Sequence, residues 1–154
     1  MIPALHHLSL FNIEGLSARE VNALAECARA LQRAGREGAV KPLLRGKNIG
    51  LLCEDQDSGD AVLFHHAATG LGAIVARIRP SVSRLTTPSE VHGTAHVLGR
   101  LYDAVECQGL PRALVQQIEH AAGIPVYDGL VASTNPAGAL SGLVETAAAD
   151  LRGE

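Results

Sequence analysis

A regular alternation of short apolar runs with helical patterns constrains this chain most. The clearest run, Asn48–Cys53, reads NIGLLC and is followed by four acidic residues between positions 54 and 60. A short run of this kind is typical of a strand that is buried on both faces of a sheet. Further strand-like runs occupy residues 73–78, 103–107 and 124–127. The alternation predicts an α/β fold, with three α/β/α layers around a four-stranded parallel sheet.

Capping residues mark where the helices start. Ser17 and Glu20 form an S-x-x-E capping box before an amphipathic stretch that reaches the glycines at positions 35 and 38. Thr87, Pro88 and Glu90 supply the N-cap, the first-turn proline and the third-position acid of a helix that runs to residue 101. Further helices are predicted to end near residue 69, to span 111–122, and to follow Asn135 and Pro136 in an alanine-rich stretch.

Composition narrows the classes of function. Hydrophobic residues make up 47% of the 154, so we expect one core and a single domain over residues 1–154. Thirteen basic and sixteen acidic residues give a net charge of -3, with only two Tyr, two Phe and no Trp. With no Lys/Arg run, this composition excludes a nucleic-acid surface. The sequence also lacks a leader pattern and a long apolar run, so we expect a cytoplasmic protein without a membrane partner.

Cysteine and histidine spacing gives no metal-ligand set. Cys27, Cys53 and Cys107 lack C-x-x-C spacing and are predicted to be buried, reduced thiols. His92 and His96 lie four positions apart on a predicted helix, but a zinc site needs three or four converging ligands. We therefore predict no metal and no cofactor, with these histidines on the surface.

The acidic segment after the first strand has two interpretations. Clustered carboxylates at Glu54, Asp55, Asp57 and Asp60 suit a cation. The D-Q-D-S-G-D sequence is nevertheless out of register with a calcium loop, because its glycine comes one position early. In the simpler interpretation, Asp57 or Ser58 caps the next helix, and the acidic residues favour its positive end.

Six sequence blocks together resemble a known family. They are LHHLSLFNIEGLSAREV, PLLRGKNIGLLCE, ATGLGA, HGTAHVLGRLYDAVE, AAGIPVYDGL and NPAGAL. In order and spacing they resemble the carbamoyl-phosphate domain of the aspartate/ornithine carbamoyltransferase family, over nearly the whole chain. In that family this domain is the N-terminal half, and a second α/β domain binds the amino-acid substrate. The resemblance implies a single carbamoyl-phosphate-domain-like unit here, with the second domain absent.

The phosphate-binding loop departs from the family pattern. The family follows its first strand with Ser-Thr-Arg-Thr-Arg, whose backbone N–H groups and two guanidinium groups hold the phosphate. The aligned residues here are Asp57, Ser58, Gly59, Asp60 and Ala61. In this loop only the Ser58 hydroxyl remains as a side-chain donor for a phosphate.

Other family positions are also changed. A further phosphate-side arginine aligns with Gln108, and a basic residue before the third helix aligns with Thr87. The His-Pro-Cys-Gln motif, which contacts the carbamoyl group in the family, is replaced by Asn135, Pro136, Ala137 and Gly138. Asn135 retains an amide donor for an oxyanion, but it does not replace the phosphate contacts.

These changes should greatly reduce the affinity for carbamoyl phosphate. Each charge-assisted contact to phosphate is worth ~1.5–3 kcal/mol, so losing three arginines forfeits roughly 5–9 kcal/mol and leaves millimolar or weaker binding. Each acidic side chain about 4 Å from a bound anion would cost on the order of 4 kcal/mol at an effective dielectric of about 20. We therefore predict a pseudoenzyme with no catalytic residue, in which residues 57–61, Gln108, Asn135, Pro136 and Gly138 are vestigial site positions.

Several roles fit such a domain. Because the family forms trimers through this domain, the resemblance implies a homotrimer, acting as a self-associating scaffold, a regulatory protein with a protein partner, or a binder of a small polar or cationic ligand. The alternative is a carbamoyltransferase component of amino-acid metabolism that needs a separately encoded substrate domain.

Overall fold

The computed structural model describes residues 17–81 and 85–130. Its first helix, α1 (Ala18–Arg36), begins at the predicted capping box. The Ser17 hydroxyl accepts from the Glu20 N–H at 3.3 Å, and the Glu20 carboxylate accepts from the Ser17 N–H at 2.7 Å. These bonds pair donors that a helix N-terminus otherwise leaves free. No side chain of α1 is buried among the described residues, so the core is built by the elements that follow.

Those elements alternate as predicted. Their order is β1 (Asn48–Cys53), α2 (Gly59–Gly70), β2 (Ile74–Ile78), α3 (Pro88–Leu101), β3 (Ala104–Gln108), α4 (Arg112–Ala122) and β4 (Val126–Asp128). The predicted bounds agree to within two residues, and the helix predicted after Asn135 lies outside the described residues. Within residues 17–81 and 85–130, no helix has the length and apolarity needed to cross a membrane.

The four strands form one parallel sheet in the order β2-β1-β3-β4. In β1, Ile49 pairs with Val75 of β2 on one side and with Ala104 of β3 on the other. This central position explains why every residue of β1 after Asn48 is buried. From β1 the chain adds β2 on one side and then crosses to the other side to form β3. The carboxyl ends of β1 and β3 therefore flank a topological switch point.

Helices cover both faces of the sheet, each over its own apolar cluster. α3 and α4 pack on the face that carries Leu52, Val105 and Cys107. α2 packs on the opposite face, against Leu51 and Cys53. Successive residues fall on opposite faces because side chains alternate along a strand. The predicted three-layer architecture is confirmed, and Cys53 and Cys107 are buried free thiols on different faces. The prediction that Cys27 is buried is wrong, because it lies on α1, which buries no side chain, and it is only half-buried.

α3 and α4 approach each other closely at Gly99. A Cβ added there would collide with the carbonyl oxygen of Ala122 and lie 2.9 Å from its carbonyl carbon. Gly123 follows in the left-handed conformation, with φ at 69°, and ends α4. The two glycines thus set the helix contact and the turn that returns the chain to β4.

Candidate functional site

The candidate site lies at the switch point between the carboxyl ends of β1 and β3. Ligands of open parallel sheets bind in the crevice outside such strand ends. The loop after β1 leads into residues 57–61, and β3 ends at Gln108. The structure brings these predicted positions together: Gln108 Nε2 donates to the main-chain oxygen of Asp60 at 3.3 Å, across 48 residues of sequence.

Hydrogen bonds within the chain organise the N-terminus of α2. The Ser58 hydroxyl accepts from the Ala61 N–H at 3.2 Å, and Ser58 is the N-cap. The Ser58 N–H donates to the Asp55 carbonyl at 3.4 Å, and the Asp57 N–H donates to the Asp55 carboxylate at 3.1 Å. The helix-capping interpretation of this segment is confirmed, with Ser58 rather than Asp57 as the cap. The Ser58 hydroxyl, the side-chain donor that the sequence predicts for this loop, therefore has a structural bond to make.

Glu106 is a site residue that sequence reasoning missed. It is fully buried on β3, where Oε1 accepts from the Leu130 N–H at 2.9 Å and lies 3.5 Å from Gln108 Nε2. Oε2 of Glu106 and Oε1 of Gln108 have no hydrogen-bond partner among the described residues. Burial raises the pKa of Glu106 to about 8, against the opposing effect of the Leu130 N–H. The one sequence signal was an acidic residue inside an otherwise apolar run.

Two arginines near the site were also missed. Arg77 and Arg79 occupy alternate positions at the carboxyl end of β2, the strand beside β1. Arg77 Nη1 donates to the main-chain oxygen of Gln56 at 3.5 Å. Burial raises the pKa of the Cys53 thiol, and the positive charges of Arg77 and Arg79 oppose that rise. The surroundings of the β1 loop are therefore mixed in charge, not purely acidic.

The acidic side chains of the loop lie mostly in solvent. Glu54, Asp55 and Asp57 are exposed and Asp60 is half-buried. Solvent screens these exposed charges, so their repulsion of an anion is weaker than the sequence predicts. In the described ranges, no group of three or more His, Cys, Asp or Glu side chains is placed to hold a metal ion.

The remaining candidates lie on α3 and its N-cap or outside the described chain. Thr87 caps α3, since its hydroxyl accepts from the Glu90 N–H at 3.3 Å. His92 and His96 are both exposed, with stacked rings whose centroids are 6.4 Å apart. Asn135, Pro136 and Gly138, predicted as vestigial carbamoyl-contact positions, lie outside the described residues.

A cavity of about 610 Å³ lies between the end of β2 and α3. Its walls include apolar Leu52, Ile78 and Leu98, with Arg79 and Thr94 as polar groups. None of the predicted site residues that the structure describes lines it. The cavity is thus separate from the Gln108–Asp60 contact.

Comparison with known sequences identifies the family. The sequence model described as the aspartate/ornithine carbamoyltransferase, carbamoyl-P binding domain, matches residues 8–146. The chain belongs to this family. The catabolic ornithine carbamoyltransferase of Burkholderia mallei is 37% identical to this carbamoyl-P binding domain over 132 residues, which are 86% of the chain and 39% of the relative. The corresponding enzyme of Pseudomonas putida is 34% identical over the same length, so the chain spans about 39% of each.

Solved structures share the architecture. Aspartate transcarbamoylase from Trypanosoma cruzi, in complex with aspartate and phosphate, has a TM-score of 0.68 at 22% identity and covers 85% of this domain and 42% of its own chain. Ornithine carbamoyltransferase from Pyrococcus furiosus has a TM-score of 0.66 at 24% identity, covering 73% of this domain and 36% of its own chain. At these identities the likeness establishes the fold, which confirms the predicted carbamoyltransferase-like sheet.

Proposed function

We propose that this carbamoyl-P binding domain is non-catalytic and does not hold carbamoyl phosphate tightly. The proposal rests on the two buried acceptor oxygens at the switch point, Glu106 Oε2 and Gln108 Oε1, which have no donor in the described part of the chain. A phosphate dianion binds to hydrogen-bond donors and positive charge. The Glu106 carboxyl and the Gln108 amide oxygen instead present hydrogen-bond acceptors. The Nε2 group of Gln108, which is a donor, already donates to the main-chain oxygen of Asp60.

The absence of guanidinium donors weakens phosphate binding more than repulsion by the acidic loop does. Asp57 is exposed, and an exposed charge is worth at most about 1 kcal/mol after solvent screening. Each missing guanidinium contact is worth ~1.5–3 kcal/mol. We therefore attribute the expected weak binding of carbamoyl phosphate mainly to the absence of arginine at positions such as Gln108, and only secondarily to the acidic loop.

We assign such a domain a role as a self-associating scaffold or regulatory protein, assembled as a homotrimer by analogy with the family. Buried free thiols at Cys53 and Cys107 support a reducing compartment, the cytoplasm. Light scattering of the full chain at micromolar concentrations tests the assembly. A trimer mass is expected, and a monomer mass at every concentration contradicts it.

Calorimetric titration of the full chain with carbamoyl phosphate tests the central claim. The expected dissociation constant is millimolar or weaker, equivalent to a binding free energy no better than about -4 kcal/mol. Inorganic phosphate is the control for simple anion binding. Carbamoyl phosphate binding at about 10 μM or tighter, without comparable phosphate binding, contradicts the proposal.

The second candidate is a carbamoyltransferase component whose amino-acid site is supplied by another chain or segment. Arg77 and Arg79 favour it, because their charges act on Cys53 at the end of β1 and would attract an anion at the adjacent loop. In this arrangement the N-terminus of α2, capped by Ser58, would face the phosphate group.

Substitution of Arg77 distinguishes the two candidates. The component hypothesis predicts that Arg77→Gln weakens carbamoyl phosphate binding by about tenfold, the loss of one charge-assisted contact. Arg100→Gln, an equal change at an exposed position of α3, is the matched control. Indistinguishable binding by both variants and the unchanged chain supports the non-catalytic proposal.

A further inference from the structure

Two buried acceptors on one face of β3 lack a donor. Glu106 and Gln108 alternate along the strand, so their side chains share a face, and their exposed fractions are 0% and 7%. Glu106 Oε2 and Gln108 Oε1 are both shielded from solvent and without a partner among the described residues. An unpaired buried polar atom costs about 1–3 kcal/mol. Because neither atom is open to solvent, the smallest group that can relieve the pair is a proton.

Within residues 17–81 and 85–130, no cation compensates the charge of a Glu106 carboxylate. On β1 its register neighbour is the apolar Leu51, and on β4 it is Tyr127. Asp128, the next residue of β4, adds a repulsive negative charge. From α2, the main-chain oxygen of Asp60 accepts a hydrogen bond from the Gln108 amide beside Glu106. The positive charge of Arg112, on α4, acts on Asp128.

We propose that Glu106 carries a proton on Oε2 in the folded protein at neutral pH, donates it to Gln108 Oε1, and thereby makes the stability of the fold depend on pH. A single hydrogen satisfies both orphaned oxygens. The other oxygen of the carboxyl group, Oε1, remains the acceptor for the Leu130 N–H at 2.9 Å. The raised pKa of Glu106, about 8, agrees with this assignment.

Glu106 lies where the chain leaves the sheet, with the Leu130 N–H 2.9 Å from Oε1. Loss of the proton leaves a carboxylate in the core beside Asp128, with no cation acting on it from the described residues. The N–H groups of Leu130 and Gly129 favour the carboxylate, but the effect of burial outweighs them. A buried charge of this kind is relieved by opening to water, so the folded state should lose stability as the pH rises.

The pH dependence of unfolding tests the proton. The folded pKa of about 8 lies above the ordinary value of 4.5, so the folded state holds a proton that the unfolded state lacks between these limits. The contribution of Glu106 to the free energy of unfolding is therefore greatest below pH 4.5, and it falls as the pH rises to about 8. The unfolding constant should increase by up to tenfold per pH unit relative to Glu106→Gln, whose amide mimics the protonated acid.

Glu54→Gln is the matched control, because Glu54 is an exposed acid just after β1. It should retain the pH dependence of the unchanged chain. If the unchanged chain and Glu106→Gln show the same pH profile between about pH 5 and about pH 8, Glu106 holds no proton in this range and the proposal is overturned.

Discussion

Gln108 and Asp60 join the end of β3 to the first turn of α2 by one hydrogen bond, 3.3 Å from Nε2 to the main-chain oxygen. The bond spans the switch point, where a ligand of this fold would sit. It commits an N–H of the Gln108 amide to the protein, and Gln108 Oε1 and Glu106 Oε2 have no N–H donor among the described residues. Acceptor oxygens of this kind are poor partners for an anion.

Replacing Gln108 by arginine should restore part of an anion site. A guanidinium has five donors, enough to retain the Asp60 contact and to reach a phosphate oxygen. We expect Gln108→Arg to raise phosphate affinity by about tenfold, the equivalent of about 1.4 kcal/mol, in calorimetric titrations. Gln116→Arg, at an exposed position of α4, is the control for added charge. Equal affinities in the two variants would rule out a role for this position.

The acidic loop should have a much smaller effect. Asp57 is exposed, so screening limits its repulsion of an anion. We expect Asp57→Asn to raise phosphate affinity by less than about threefold at low salt and by nothing measurable at high salt. The comparison is Glu37→Gln, an exposed acidic residue after α1. A tenfold gain specific to Asp57→Asn would mean that loop repulsion, not the lost arginines, dominates.

Local signals in the sequence were sufficient for much of the fold. The bounds of β1 follow from an uninterrupted apolar run, because that strand lies between two others and is buried on both faces. The capping boxes at Ser17 and Thr87 involve residues three positions apart, so their hydrogen bonds depend on few distant contacts. For the same reason Ser58 or its neighbour could be named as the cap of α2.

Long-range contacts set what the sequence did not predict. β4 begins at Val126, not at residue 124, because Pro125 has no N–H and takes part only through its carbonyl, which accepts from Val105 at 2.9 Å. The burial of Glu106 and the approach of Arg77 depend on which strands are neighbours. β2 and β3 lie on either side of β1, and the residue pattern within a single strand does not predict this order.

The cap of α2 should have a measurable cost when removed. Ser58→Ala leaves the Ala61 N–H without its 3.2 Å acceptor. We expect a loss of about 1 kcal/mol in the free energy of unfolding, measured by urea denaturation. Ser58→Gly is the paired variant, since glycine is tolerated at N-caps and should cost only a few tenths of a kcal/mol. An unchanged free energy of unfolding in Ser58→Ala would contradict a stabilising role for this hydroxyl bond.

Two glycines of α3 should respond to alanine in opposite directions. At Gly99 an added methyl group collides with the Ala122 carbonyl, so Gly99→Ala must push α3 and α4 apart. We expect it to lower the free energy of unfolding by about 1–3 kcal/mol. At Gly93 an added Cβ meets nothing within 4 Å, so Gly93→Ala should raise stability by up to about 1 kcal/mol through helix propensity. Urea denaturation of both variants measures the difference, and a shift of the same sign in both would contradict the close helix contact.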